Sequence, residues 1–351
     1  MSGIPTARED IVALRSYRPG AQVDGTIRLN TNESAAAHNG STLNRYPQVR
    51  PASLQARLAA LFRVAPENLL VTRGSSEAID ALVRAWCPAY RSSVITTPPT
   101  FDMYRVYADI QGARTIEVPL DGDDFHLDVE ALLGACTDDT RLVFLCSPNN
   151  PTGTVIPEDE LVRVASALDG RCVVVVDEAY VEFAGRESLA RRVTEFDNLV
   201  VLRTLSKAHA LAGARCGVAI ASETLIDILG KVLPPYSFPT PVIDTVIVAL
   251  SEERLLRSRE AVAEVVAERD RVRERLGSIG CVERTWPSRS NFLLVRFGDL
   301  PAVLEFLAVR RILIRDFGNV PGLANCARIT IGSRAENDAL LAALADFRGN
   351  R

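Results

Sequence analysis

Residues 172–176 read C-V-V-V-V, the most hydrophobic strand-like run of the chain, and few structures accommodate it. A half-buried strand alternates apolar and polar residues, whereas an unbroken apolar run of this length is buried on both faces. Residues 142–146 (L-V-F-L-C) make the same demand. Such strands belong in a mostly parallel sheet with helices against both faces, the α/β layered arrangement. Further strands are expected at 68–72 (N-L-L-V-T), 94–97 and 198–202 (N-L-V-V-L), with 215–221 returning from the last of them. Helical spacing is clearest at 53–62, where Leu54, Leu58, Leu61 and Phe62 share a face. It recurs after 76 in Ile79, Leu82, Val83 and Trp86.

The alternation continues from about 53 to 250 and then stops. A long charged helix follows at 252–276, with Val262, Val265, Val266 and Val272 on its apolar side and Gly277 at its end. Beyond it, strands at 291–297, 312–314 and 327–331 and a helix at 303–310 describe a small α+β unit. With 351 residues, a length suited to about two domains, the expected division is a short N-terminal segment at 1–30, a large α/β domain at 31–255 and a small domain at 256–351. Arg18-Pro19-Gly20 reads as a turn.

What the strand ends carry decides the chemistry. The strand at 68–72 runs into T-R-G-S-S-E, so Ser75 and Ser76 stand at a helix N-terminus. Free backbone N–H groups and hydroxyls there suit a small anion, and the same residues also suit a plain N-cap. Phe101 follows the strand at 94–97, where an α/β sheet binds ligands, though a core role is equally open to it. The run at 142–146 ends in S-P-N-N-P-T-G, a rigid turn presenting the amide of Asn150. The run at 172–176 ends at Asp177-Glu178-Ala179-Tyr180. A carboxylate at the lip of a central strand is costly to desolvate without a partner, which makes Asp177 a site candidate. The strand at 198–202 leads to Lys207 among small and hydroxylated residues, with Arg215 eight positions on.

Other classes of function recede. Net charge is −4 with both signs mixed along the chain, so no basic tract points to nucleic acid. Seven cysteines are scattered singly and three histidines lack companions at ligand spacing, which argues against a disulfide framework and a metal centre and for a reducing compartment. No apolar run approaches the ~18 residues needed to span a bilayer, and the N-terminus lacks the pattern of a secretory signal. A soluble cytoplasmic protein is expected.

The strand-end residues share one chemical sense. A lysine amine forms a Schiff base with an aldehyde, an Asp pairs with a protonated pyridine nitrogen, and a Tyr and an Asn bond a phenolate oxygen. An aromatic lies on the ring, while an Arg and serine hydroxyls at a helix N-terminus hold a phosphate. That set suits pyridoxal 5′-phosphate. The motifs S-P-N-N-P-T-G, V-D-E-A-Y-V-E-F and R-T-L-S-K-A-x-A-L-A-G-x-R-C-G resemble the aspartate-aminotransferase superfamily of pyridoxal-phosphate enzymes. Within it they are most similar to the histidinol-phosphate aminotransferases. The likeness extends through L-N-T-N-E, N-R-Y-P, P-P-T-F-x-M-Y, L-I-R-D and R-I-T-I-G.

The resemblance implies that fold, a large and a small domain with the N-terminal segment packed on the site, and the following roles. Lys207 carries the Schiff base and moves the proton. Asp177 pairs with the ring nitrogen, Asn150 and Tyr180 bond the ring oxygen, and Phe101 stacks. Ser75, Ser76, Ser206 and Arg215 hold the phosphate, with Tyr46 reaching in from the second subunit of a homodimer. Arg328 grips the α-carboxylate of glutamate, Arg315 matches a position associated with substrate phosphate, and Tyr17 and Asn32 line the substrate pocket. The implied reaction moves an amino group from glutamate to imidazole acetol phosphate. An aminotransferase of aromatic amino acids and a decarboxylase of a phosphorylated amino acid are the neighbouring alternatives. Two places depart from the pattern: the family's N-E-N-P near the N-terminus is here Asn32-Glu33-Ser34, without the proline, and His209 stands where a bulky aromatic is expected.

Overall fold

The two unbroken apolar runs lie side by side in the middle of a seven-stranded sheet. The structure, a computed structural model, describes residues 4–15, 17, 20, 22, 25–37 and 43–348. Its large sheet comprises β1 (Leu69–Thr72), β2 (Ser93–Thr96), β3 (Arg114–Glu117), β4 (Thr140–Cys146), β5 (Val173–Asp177), β6 (Leu199–Thr204) and β7 (Gly217–Ala221). Their order across the sheet is β1-β7-β6-β5-β4-β2-β3. Strands β2 to β6 pair in parallel, whereas β7 runs antiparallel to both its neighbours.

β5 shows why the run had to be apolar throughout. Val173 and Val175 enter a core with Leu82, Trp86, Tyr104 and Phe144, while Val174 and Val176 enter another with Leu58, Leu132 and Leu161. Successive side chains of a strand face opposite ways, so a covered sheet needs apolar residues at every position. Each fully buried valine contributes about 1.5–3 kcal/mol of transfer free energy. Helices Ser75–Trp86, Met103–Gln111 and Glu223–Val232 cover the first face, and Ala52–Phe62, Val129–Ala135, Glu158–Ala167 and Thr240–Ala249 the second.

A second sheet holds β8 (Val282–Thr285), β9 (Phe292–Phe297), β10 (Arg315–Asp316) and β11 (Cys326–Thr330) in the order β10-β11-β9-β8, antiparallel throughout. Its core is closed by helices Leu300–Val309 and Arg334–Asp346 and by the end of Glu252–Leu276. That last helix ties the two sheets together, and the boundary expected at 255/256 falls inside it. Val262, Val265 and Val266 pack against Ala179, Tyr180, Phe183 and Phe292. Buried Arg269 donates to the carbonyls of Phe183 at 3.4 Å and Ser290 at 3.1 Å.

The strand expected at 312–314 is a correction. Helix Leu300–Val309 is followed by Arg311 in the left-handed region, φ 59°, and the I-L-I run that follows is an extended connection. Ile312 and Ile314 pack on the small core, and pairing begins only at β10. In the N-terminal segment Ala7 and Ile11 join the core beside helix Ser75–Trp86, and Pro5 accepts the indole N–H of Trp86 at 3.1 Å. Of the expected turn, Arg18 and Pro19 lie outside the described residues. Among the described residues no helix is long and apolar enough to cross a membrane.

Candidate active site

Parallel pairing in register brings the carboxyl ends of the central strands level. Cys146, Asp177 and Leu202 are opposite one another across β4, β5 and β6. Because β7 runs backwards, the chain enters it from that same edge, at Gly217, opposite Thr204 of β6 and Thr72 of β1. There a cavity of about 260 Å³ opens, lined by Ser75, Ser76, Phe101, Asn150, Asp177, Tyr180, Ser206, Lys207 and Arg215, together with Arg328 from β11.

One end of the cavity is built for an anion. Gly74, at φ 80°, caps helix Ser75–Trp86 without any side-chain cap, so the first-turn N–H groups face the cavity unsatisfied by a side chain. The helix is long enough for its dipole to favour negative charge there. The Arg215 guanidinium lies so close that a Cβ on Gly74 would sit 2.6 Å from its Nη2. Gly217 is as tightly constrained: a Cβ there would meet backbone of Gly74, Ser75 and Arg203 at 2.8–2.9 Å. Thr204 donates to the Ser206 hydroxyl at 3.0 Å.

Opposite stands Asp177, only 3% exposed. It accepts the Tyr104 hydroxyl at 2.9 Å and the Ala179 N–H at 3.1 Å. Burial nevertheless pushes its carboxyl up to about 6, against the pull of those two hydrogen bonds. Tyr104 is fully buried, stacked on Phe144 at 4.8 Å and edge-on to Phe101 at 5.6 Å. The same burial, with Asp177 alongside, holds its hydroxyl protonated far above the usual phenol range.

Between these ends, Asn150 offers its amide. Its Oδ1 accepts from Arg328 Nη1 at 2.5 Å, which leaves the NH₂ group free to donate into the cavity. The preceding Asn149 locks the turn: its Nδ2 donates to the carbonyl of Pro99 at 2.8 Å and to Thr152 at 2.9 Å, and its Oδ1 accepts from Thr100 at 2.8 Å. Phe101 and Asn150 are thereby fixed to each other. Tyr180 stands edge-on to Phe292 at 5.2 Å with its phenol pushed up by burial. Lys207 Nζ lies 5.8 Å from the Tyr180 ring centre. Burial, then Arg328 and Arg215, lower the lysine below its ordinary value, so more of its neutral, proton-accepting form is present.

Other expected residues lie elsewhere. Arg315 lines an adjoining cleft of about 1060 Å³ that shares Phe101, Asn150 and Arg328 with the cavity. Tyr46 and Asn32 flank a separate groove beside Pro239 and Pro241. Tyr46 stacks on Tyr236 at 4.8 Å, and Tyr17 meets the same ring edge-on at 6.2 Å. Half of Tyr46 and 61% of Tyr17 are exposed. None of these three lines the chain's own cavity. His209 is also absent from it, with its Nε2 3.9 Å from Glu182 Oε1. Sequence reasoning missed Tyr104 and Asn149 as positioning residues, although P-P-T-F-x-M-Y and S-P-N-N-P-T-G contain them.

The donor set fits pyridoxal phosphate. Ser75, Ser76 and Arg215 form a cradle that a single Cβ would fill, and Asp177 is a buried carboxylate in want of a cation. An oriented amide, a phenol and a depressed lysine lie between them. Among the described residues no cluster suits a metal ion.

Comparison with known proteins places the chain in a family. The model of the family described as aminotransferase class I and II matches residues 18–344. A histidinol-phosphate aminotransferase of Stenotrophomonas maltophilia is 46% identical over 349 residues, 97% of this chain and 96% of that protein. One of Xanthomonas euvesicatoria is 45% identical over 96% of this chain and 95% of its own. The crystal structure of histidinol-phosphate aminotransferase from Sinorhizobium meliloti, in complex with pyridoxal-5′-phosphate, superposes with a TM-score of 0.79 at 28% identity. It covers 86% of this chain and 83% of that one.

Proposed function

The chain belongs to the class I and II aminotransferases, and from that membership we propose that it moves the amino group of L-glutamate to imidazole acetol phosphate. The products are L-histidinol phosphate and 2-oxoglutarate, in a step of histidine biosynthesis. The observation that carries this reading is the near full-length correspondence, at 46% identity, with a protein named for that reaction. Arg315 and Arg328, paired across β10 and β11 beside the cavity, support it by offering two guanidinia to a carboxylate or a phosphate.

Pyridoxal phosphate, when bound, supplies an aldehyde for the amine and a ring that accepts the charge left when the substrate Cα is deprotonated. Ser75, Ser76, Ser206 and Arg215 would hold its phosphate, Asp177 its ring nitrogen, Asn150 and Tyr180 its ring oxygen, and Phe101 its face. Lys207 would take the proton from the substrate Cα and deliver it to the cofactor carbon that held the aldehyde, a task that needs the neutral amine its lowered pKa favours. Tyr104 holds Asp177 in place and favours its charged form through the 2.9 Å hydrogen bond. Arg328 receives the α-carboxylate of glutamate and Arg315 the phosphate of the second substrate. A second copy of the chain would complete the site through Tyr46, with Tyr17 and Asn32 beside the substrate. The free cysteines suit a reducing cytoplasm.

A half-reaction assay tests the function. Purified, cofactor-loaded protein is mixed in turn with glutamate, histidinol phosphate and phenylalanine while the cofactor's visible absorbance is followed. Glutamate and histidinol phosphate should each bleach it and phenylalanine should do so far more slowly. Faster bleaching by phenylalanine, or release of CO₂ without glutamate, would replace the reading with one of its neighbours.

A further inference from the structure

The small sheet turns three arginines towards the cleft. Arg315 of β10 pairs with Arg328 of β11, which pairs with Leu294 of β9; Arg296 stands two residues along β9, opposite Cys326. Paired residues share a face and alternate residues of a strand return to it, so the three side chains rise from one surface. All three line the cleft of about 1060 Å³. Among the described residues none of them has a carboxylate within ion-pair distance.

The acids around the cleft are mostly engaged elsewhere. Asp102 is held by Arg105 at 2.9 Å, and Asp123 by Arg284 at 2.9 Å. Asp316 accepts the N–H of Gly318 at 2.7 Å, and Glu117 also lines the cleft. Trp286 stands beside two arginines of different kinds. Arg284, 4.7 Å from its ring centre, is paired with Asp123, whereas Arg296, 5.1 Å from that ring, has no carboxylate within ion-pair distance among the described residues and keeps a buried Nε without a hydrogen bond.

Three uncompensated guanidinia in a partly enclosed cleft repel one another and call for anionic ligand groups. An α-carboxylate or a phosphate occupies one or two of them. Arg328 alone of the three also reaches the cofactor cavity, so a substrate anchored there extends its side chain into the cleft. Diagonal neighbours on adjacent strands stand about 7–8 Å apart, a spacing suited to the two ends of a short dicarboxylate.

We propose that Arg296, backed by Trp286, is the subsite for the side-chain carboxylate of the dicarboxylate amino donor and its 2-oxo product, with Arg328 holding the α-carboxylate. This rests on the aminotransferase reading above and adds to it how one cleft serves both a dicarboxylate and a phosphate ester.

R296Q is compared with wild type and with R296K. The KM for glutamate and 2-oxoglutarate should rise about 10- to 100-fold in R296Q, the loss of a charge-assisted hydrogen bond, with kcat little changed. R296K should recover part of it, and the KM for histidinol phosphate should move less than about threefold. An unchanged KM for glutamate, or an equal rise for histidinol phosphate, overturns the assignment. A second readout needs no turnover. Glutarate, a non-reactive dicarboxylate, is titrated into cofactor-loaded protein while indole fluorescence is followed, with W286F identifying the Trp286 signal. A saturable change in wild type that disappears in R296Q supports the subsite even if histidinol phosphate proves not to be the substrate. The same saturable change in R296Q removes it.

Discussion

Asp177 shows how one residue sets function against stability. In the unfolded chain its carboxyl ionises at the ordinary value of 3.8, and in the folded, cofactor-free protein at about 6. Between those values the folded state keeps a proton that the unfolded state releases, so stability falls as pH rises through this window and levels off above it. Asp177→Asn removes the titration. The cofactor-free variant should match wild type near pH 4 and exceed it by about 3 kcal/mol above pH 6, as urea unfolding at pH 4 and pH 8 would measure. Its turnover should drop by orders of magnitude; equal stability at pH 8 would contradict the buried-charge account. Tyr104→Phe should lower kcat about tenfold or more at unchanged KM for glutamate, since it removes a hydrogen bond to a charged group without touching the substrate. Asp177 was legible because a carboxylate ending a V-V-V-V strand has no cheap explanation. Tyr104 was not, because it reaches Asp177 from 73 residues away and a tyrosine on an amphipathic helix announces only burial.

Among the elements, those under the strongest packing constraint were readable. Unbroken apolar runs named β4 and β5, and the turn residues after β1, β4, β5 and β6 named the edge where the site forms. β3 and β8, read as R-T-I-E and V-E-R-T, are short, charged and half exposed, so neither period nor composition marked them. The stretch at 312–314 misled for the opposite reason: its apolar residues serve the small core from an irregular connection rather than from a ladder. The contact of β1 with β7 is set by Gly217, whose missing side chain lets Gly74 and Ser75 close on it. Gly217→Ala should therefore destabilise the protein by about 1–3 kcal/mol and weaken pyridoxal phosphate binding together. Urea unfolding and equilibrium dialysis would measure the two effects. A destabilised variant that binds cofactor at wild-type strength would separate the strand contact from the phosphate cradle.

For the molecule as a whole, Tyr46 stacks with Tyr236 at the surface, away from its own chain's cavity. If it completes the cavity of a second copy, mixing Lys207→Ala with Tyr46→Phe subunits should restore activity. Each mixed dimer would carry one site with both substitutions and one with neither. Random pairing should give roughly a quarter of wild-type activity, and no recovery despite subunit exchange would return Tyr46 to its own chain. The two sheets meet elsewhere, at the turn after β4: Arg289 donates its N–H to the Gly153 carbonyl at 2.8 Å, and Arg328 grips Asn150 three residues earlier. Any swing of the smaller body away from the larger one would pull on the amide of Asn150, which lines the cavity. A machine jointed at its own reactive centre disarms itself whenever it gapes.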